Sequence, residues 1–91
     1  MNKLKNARQL ERHFKGVANH HRIDILWLIE KEGGMTLDAI TQALKTNFKT
    51  MSEHTRKLVL AGLLEKKYKG RAVIHTLSPY GKKLVLFLKT F

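Results

Sequence analysis

Residues 47–71 read NFKTMSEHTRKLVLAGLLEKKYKGR, and the reading of this stretch decides the fold. Asn47 is a good N-cap, so a helix is expected over residues 48–61, with Gly62 where a left-handed residue ends a helix. At 100° per residue, Phe48, Met51, Thr55, Leu58 and Val59 share one face and are expected to pack on a core. Lys49, Glu53, Arg56, Lys57 and, at the margin, Thr50 share the other. Past Leu63 the period changes. Leu64 to Tyr68 and Ala72 to Leu77 are short, partly β-branched runs around Lys69-Gly70-Arg71, which is a hairpin signal.

Upstream, Leu4, Ala7, Leu10 and Phe14 lie at helical spacing within residues 2–15, and Gly16 is expected to end that helix. Asn19 caps a second helix over 20–32, stopped by Gly33-Gly34. Thr36 or Asp38 caps a short third one through Leu44, with Leu37, Ile40 and Leu44 inward. Downstream, Ser78 precedes Pro79 at the first position of a last helix, 79–90. The order α-α-α-α-β-β-α, mainly α with a small β-hairpin, is that of a winged helix-turn-helix. One domain is expected over 1–91, with the helix-turn-helix at 36–61 and the wing at 63–77.

The 91 residues are 43% apolar and 27% charged, ordinary for a globular chain, but 18 Lys+Arg face only 7 Asp+Glu for a net charge of +11. Such a field attracts polyanions. From Lys45 to Lys83 there are ten basic residues and two acids, whereas residues 1–44 hold seven and five. The excess sits on the helix and hairpin described first. Arg and Lys reach guanine or phosphate, Glu accepts from cytosine, and Thr serves either base edge. Lys49, Thr50 and Glu53, in the N-terminal half of the helix, are therefore the base-reading candidates, and Arg56 and Lys57 the phosphate contacts. Asn47, Ser52, Lys66, Lys67, Lys69 and Arg71 complete the expected DNA-binding set.

The stretch from Val17 to Leu77 resembles the ArsR/SmtB-type winged-helix transcription regulators. The resemblance rests on Ala18 to Leu26, on Leu37, Ile40 and Leu44, on Thr50 to His54, and on Leu58 with Ala61 to Glu65 and the wing around Gly70-Arg71. MarR-type winged helices share much of this, and Leu77 to Gly81 is similar to the entry of their last helix. The resemblance implies repression by occlusion of a promoter, and a homodimer would set two such helices into successive major grooves of a pseudo-palindrome. Thr55 departs from the family's usual Leu. The metal sites of sensor members are missing: Met35 and Leu37 stand near the place of a Cys-x-Cys pair, and residues 79–91 contain no Asp, Glu or His.

No metal or cofactor is expected, since there is no cysteine. His20 and His21 diverge by about 100° on a helix, and His54 with His75 alone would leave zinc short of ligands. All five histidines are expected at the surface or at helix ends. The acids show no catalytic spacing, so an enzyme is not expected. The longest apolar run, Ile25 to Ile29, is far below the roughly 20 residues that span a bilayer, and the first residues lack a secretory signal. A cytoplasmic protein without membrane contact is expected.

Ile25, Leu26 and Ile29 are the expected core face of the second helix, which leaves Ile23 and Trp27 on another side. The last helix is apolar on more than one face, with Leu84 and Leu88 on one stripe and Phe87 and Phe91 on another. Segments 1–15 and 79–91 are therefore expected to dimerise, with Leu4, Leu10, Phe14, Leu84, Phe87, Leu88, Phe91 and Trp27 near the seam. The functional expectation is a homodimeric, sequence-specific binder of double-stranded DNA that regulates transcription. The alternative is a winged-helix module for protein interaction or RNA binding in a larger assembly.

Overall fold

In a computed structural model, residues 4–91 are described, and the elements follow in the expected order. They are α1 (Ala7–Val17), α2 (His20–Glu32), α3 (Leu37–Ala43), α4 (Phe48–Leu60), β1 (Leu64–Lys69), β2 (Ala72–Leu77) and α5 (Pro79–Leu88). Each helix starts on a polar cap that answers free backbone N–H groups. Asn6, Asn19, Thr36, Asn47 and Ser78 all accept from an amide two or three residues on.

Three boundaries differ from expectation by more than one residue. The first helix begins at Ala7, where Asn6 and Gln9 form a reciprocal capping box, and residues 2 and 3 of the expected helix lie outside the described residues. Gly16 does not end it. Gly16 is buried inside the helix, because a Cβ there would overlap the Cβ of Ala61. The last helix ends at Leu88, two residues early.

The core is built around α2, whose Ile25, Leu26 and Ile29 are fully buried with Ile40, Met51, Leu58, Leu63, Leu64 and Val85. Ile23 and Trp27 are half-buried against that core, as are Leu37 and Leu44. On α4, Met51, Thr55 and Leu58 face inward as expected, and Val59 is half-buried. Phe48 is not in the core: it is 52% exposed. Among the described residues the buried Thr55 hydroxyl has no hydrogen-bond partner, the cost of a polar atom where the resembled family keeps Leu.

β1 and β2 pair antiparallel from Leu64↔Leu77 to Lys69↔Ala72. The two-residue turn places a positive φ at Gly70 and not at Arg71, the twist-matched geometry in which glycine is favoured first. Met35 extends the sheet by one bridge, exchanging two backbone hydrogen bonds with His75.

The junction after α4 carries an unusual load. A helix end leaves carbonyls without partners, and here three consecutive ones are taken by distant residues. His13 Nδ1 lies 2.6 Å from the Ala61 oxygen, Ser78 Oγ donates to Gly62 at 2.6 Å, and Ser78 N–H donates to Leu63 at 3.0 Å. Residues 61–63 thus anchor α1 on one side and α5 on the other.

The expected seam residues divide by burial. Leu4 and Leu10 are exposed, Phe14 and Phe87 are each 49% exposed, and Phe91 is 90% exposed. Trp27 and Leu84 are half-buried against their own core, and Leu88 is half-buried. Leu10, Phe14, Leu84 and Phe87 line an apolar groove of about 270 Å³ between α1 and α5. Leu86, 63% exposed, lies on another face of α5, where it lines a separate depression with Pro79 and Lys82.

Candidate nucleic-acid interface

The outer face of α4 is set by its first turn. Asn47 Oδ1 accepts from the Thr50 N–H at 3.1 Å, which commits this side chain to capping and starts the helix at Phe48. Lys49, Thr50, Glu53, Arg56 and Lys57 are exposed on it, while Ser52 is half-buried at its margin. Glu53 is not free. Arg56 Nε and Nη2 donate to its two oxygens at 3.1 and 2.6 Å, and Lys57 Nζ stands 3.9 Å away. The hydrogen bond from Arg56 holds the Glu53 carboxyl below its usual range, and the same bond raises the guanidinium. Among the described residues no carboxylate pairs with Lys49, the cation nearest the start of the helix.

The wing cations do not form one patch. Successive side chains of a strand point to opposite faces, so the pairing separates them. Lys66, opposite His75, opens with Arg71 onto a groove of about 610 Å³ toward α3 and the start of α4. Lys67, opposite Ile74, opens on the other side, onto a depression of about 630 Å³ that it shares with Glu65, Glu30 and Lys82. Lys69 follows Lys67 in alternation beside the turn. Tyr68, which the sequence reading passed over, is 75% exposed on the Lys66 side. Strict alternation along β1 could have found it.

Three histidines correct the expectation of surface positions. His13 is buried between α1 and the 61–63 junction, and its Nε2 has no hydrogen-bond partner among the described residues. His75 is buried, with Nδ1 3.2 Å from the Met35 oxygen. His54 is half-buried and does not meet His75. Its ring stacks 5.2 Å from that of His21, and its Nδ1 accepts from Arg22 Nε at 3.1 Å. Arg22 also donates to the carbonyls of Lys15 and Gly16, so it ties the end of α1 to α4. His20 and His21 lie ring to ring at 4.1 Å rather than apart. Among the described residues no group of three or more His, Cys, Asp or Glu could hold a metal ion.

Burial, reinforced by the Arg22 guanidinium, His21 and Lys57, pushes the His54 imidazole below its ordinary value. Burial does the same to His75, with Lys66 adding to it and the Met35 hydrogen bond opposing it. A depressed imidazole binds its proton more weakly folded than unfolded. The associated stability is therefore complete above the unfolded value of about 6.5 and is lost as pH falls through it. Thermal midpoints are expected to drop between pH 7.5 and 5, and less steeply in His75→Gln than in the parent. An identical slope in the variant would remove His75 from this account.

Residues 19–81 match the sequence family described as winged helix DNA-binding domain. No curated protein matches the chain by sequence. Solved structures do. The homodimeric winged helix-turn-helix DNA-binding domain (fragment 1–100) of Mb0332 from Mycobacterium bovis, a possible ArsR-family transcriptional regulator, is 24% identical, with a TM-score of 0.83 over 99% of this chain and 88% of that one. HlyU from Vibrio cholerae is 23% identical, with a TM-score of 0.82 and 94% of each chain covered. The transcriptional repressor PagR of Bacillus anthracis is 21% identical, with a TM-score of 0.81 over 89% of this chain and 93% of that one. No described helix is long and apolar enough to cross a membrane. With a capped, outward-facing basic helix beside a basic hairpin, and a family match spanning both, the chain belongs to the winged helix DNA-binding domain family.

Proposed function

We propose that the protein is a cytoplasmic transcription regulator, a repressor, that binds duplex DNA sequence-specifically as a homodimer and performs no catalysis. One observation carries this reading: the exposed Lys49, Arg56 and Lys57 on α4 stand beside a wing bearing Lys66, Lys67, Lys69 and Arg71, within a family of DNA-binding domains. Two recognition helices enter successive major grooves, and the wings hold flanking phosphates or the minor groove. Lys49, Thr50, Ser52 and Glu53 face bases, with Glu53 also steadying Arg56. Asn47 serves as cap at the edge of that contact.

The apolar groove between α1 and α5 supports the dimer. Leu10, Phe14 and Phe87 leave bulky side chains half in water, and a second copy related by a two-fold axis would cover them together with Leu4, Leu84, Leu88 and Phe91. Trp27 lies further in and contributes at the margin.

Selection of bound sequences from random duplexes, run beside sedimentation of the free protein, tests the reading. The expected outcome is a two-fold-symmetric preferred site and a species of twice the monomer mass at micromolar concentration. Phe87→Glu, at a half-exposed position, is expected to sediment as a monomer and to lose at least tenfold in affinity for that site. A monomer that binds with full affinity would refute the dimer. Binding that prefers RNA, or that shows no salt dependence, would refute duplex DNA as the target.

A further inference from the structure

Phe48 is the first residue of α4, and a large apolar side chain at that place is expected to turn inward. It does not, for a geometric reason. The buried face is centred on Met51, Thr55 and Leu58, and Phe48 lies at its edge, one helical step of 100° from the exposed Lys49. Its ring closes the helix end of the groove whose other wall carries Lys66, Arg71 and Val73. The lining of that groove shares no residue with the apolar groove between α1 and α5. A second copy seated on the α1–α5 groove therefore leaves Phe48 uncovered.

The chemistry of the surroundings selects the occupant. Lys49 adjoins Phe48 in sequence, and Lys66 and Arg71 line the groove with it against the single carboxylate of Asp38, so the net charge there is positive and an approaching partner is anionic. Within duplex DNA, a phenyl ring makes no hydrogen bond and would strand the polar edges that adenine, guanine and cytosine present in the major groove. Thymine alone offers an apolar group there, its C5-methyl. The Asn47 cap fixes the backbone of the first turn, and with it the point from which the ring projects.

We propose that Phe48 is a specificity-determining residue that reads one thymine of each half-site through its C5-methyl, while Lys66 and Arg71 hold the sugar-phosphate strand alongside. This rests on the duplex-binding reading above and adds to it the identity of one base.

The test begins with the duplex preferred by the wild-type protein. Each thymine of a half-site is replaced in turn by deoxyuridine, which removes the methyl group and changes nothing else on that edge. One position is expected to lose about fourfold in affinity, the factor that burying one methyl group is worth. In Phe48→Ser, affinity for the thymine duplex is expected to fall and the thymine–uracil difference at that position to vanish, while Phe48→Leu retains it. Wild-type protein that binds every deoxyuridine duplex as well as the parent would overturn the proposal, and so would Phe48→Ser that still discriminates. Because the thymine–uracil contrast is read on wild-type protein, it does not depend on the variants folding. Failure to bind any duplex would overturn the functional reading and this proposal together, and that result is distinct from uniform binding.

Discussion

Gly81→Ala is expected to cost the protein more than about 3 kcal/mol, the upper end of what overpacking does. A Cβ at this buried position would fall well under 3.0 Å from the Leu63 carbonyl oxygen and 3.1 Å from its carbon. Neither atom is free to withdraw. The Leu63 oxygen accepts from Ser78 N–H at 3.0 Å, and Leu63 N–H donates to Leu58 at 3.0 Å. The clash is therefore backbone against backbone, at the point where α5 is fastened to the end of the recognition helix. Small domains have only about 5–15 kcal/mol in total, and each kcal/mol moves the melting temperature of a chain this size by roughly 4–8 °C. A fall of more than about 12 °C in thermal unfolding follows. Gly70→Ala is the comparison, since among the described residues nothing lies within 4 Å of its added carbon and only its positive φ is strained. Its expected cost is about 1–2 kcal/mol. If Gly81→Ala melts no lower than Gly70→Ala, the close approach of α5 is not what holds the two together.

The largest effect on binding is expected from Lys67→Ala, Lys69→Ala and Arg71→Ala combined. All three are exposed, and a cation on a phosphate acts by releasing counterions without reading sequence. The logarithmic salt slope is expected to become shallower by about three units, roughly one for each lost contact, with base preference unchanged. The pairing pattern adds a distinction. Arg71 lies on the groove toward α4, whereas Lys67 lies on the depression beside Lys82, where Glu65 and Glu30 oppose it. Reverted singly, Arg71 is expected to restore more of the slope than Lys67. Lys49→Ala is expected to behave in the opposite way, shifting the preferred base by about 1–3 kcal/mol with less change in slope. A wing variant that changes base preference, or a Lys49 variant that does not, would exchange the roles assigned to helix and hairpin.

How far the molecule was legible differed from one element to the next. Four of the five helix starts were readable, because a cap is a local hydrogen bond between a side chain and the amide two or three residues on. Ser78 before Pro79 and Asn47 before Phe48 are the clearest. Asn6 was missed because the apolar spacing continues backward through Leu4, and periodicity alone does not show where a cap stops it. The hairpin was legible from its change of period and from Gly70. The facing of its lysines was not, because it depends on which side of the sheet the rest of the chain occupies.

Charge balance, cap placement and hydrophobic period are properties of neighbouring residues, and these the sequence determined by itself: a basic winged helix-turn-helix with Lys49, Arg56 and Lys57 turned outward. What joins residues far apart was decided only in three dimensions. Gly16 reads as a helix stop, yet its lack of a side chain serves a contact with Ala61, 45 positions away. His13 reads as a surface residue, yet it meets the Ala61 carbonyl, and His54 turns to Arg22 rather than to His75. Phe48 reads as core by its angle on the helix. The helix begins there, however, at the edge of the buried face, and the ring lines the open groove toward α3 and the wing, which leaves it half in water. Helical period fixes the direction in which a side chain leaves its own helix, but its burial depends on what the rest of the chain brings to meet it.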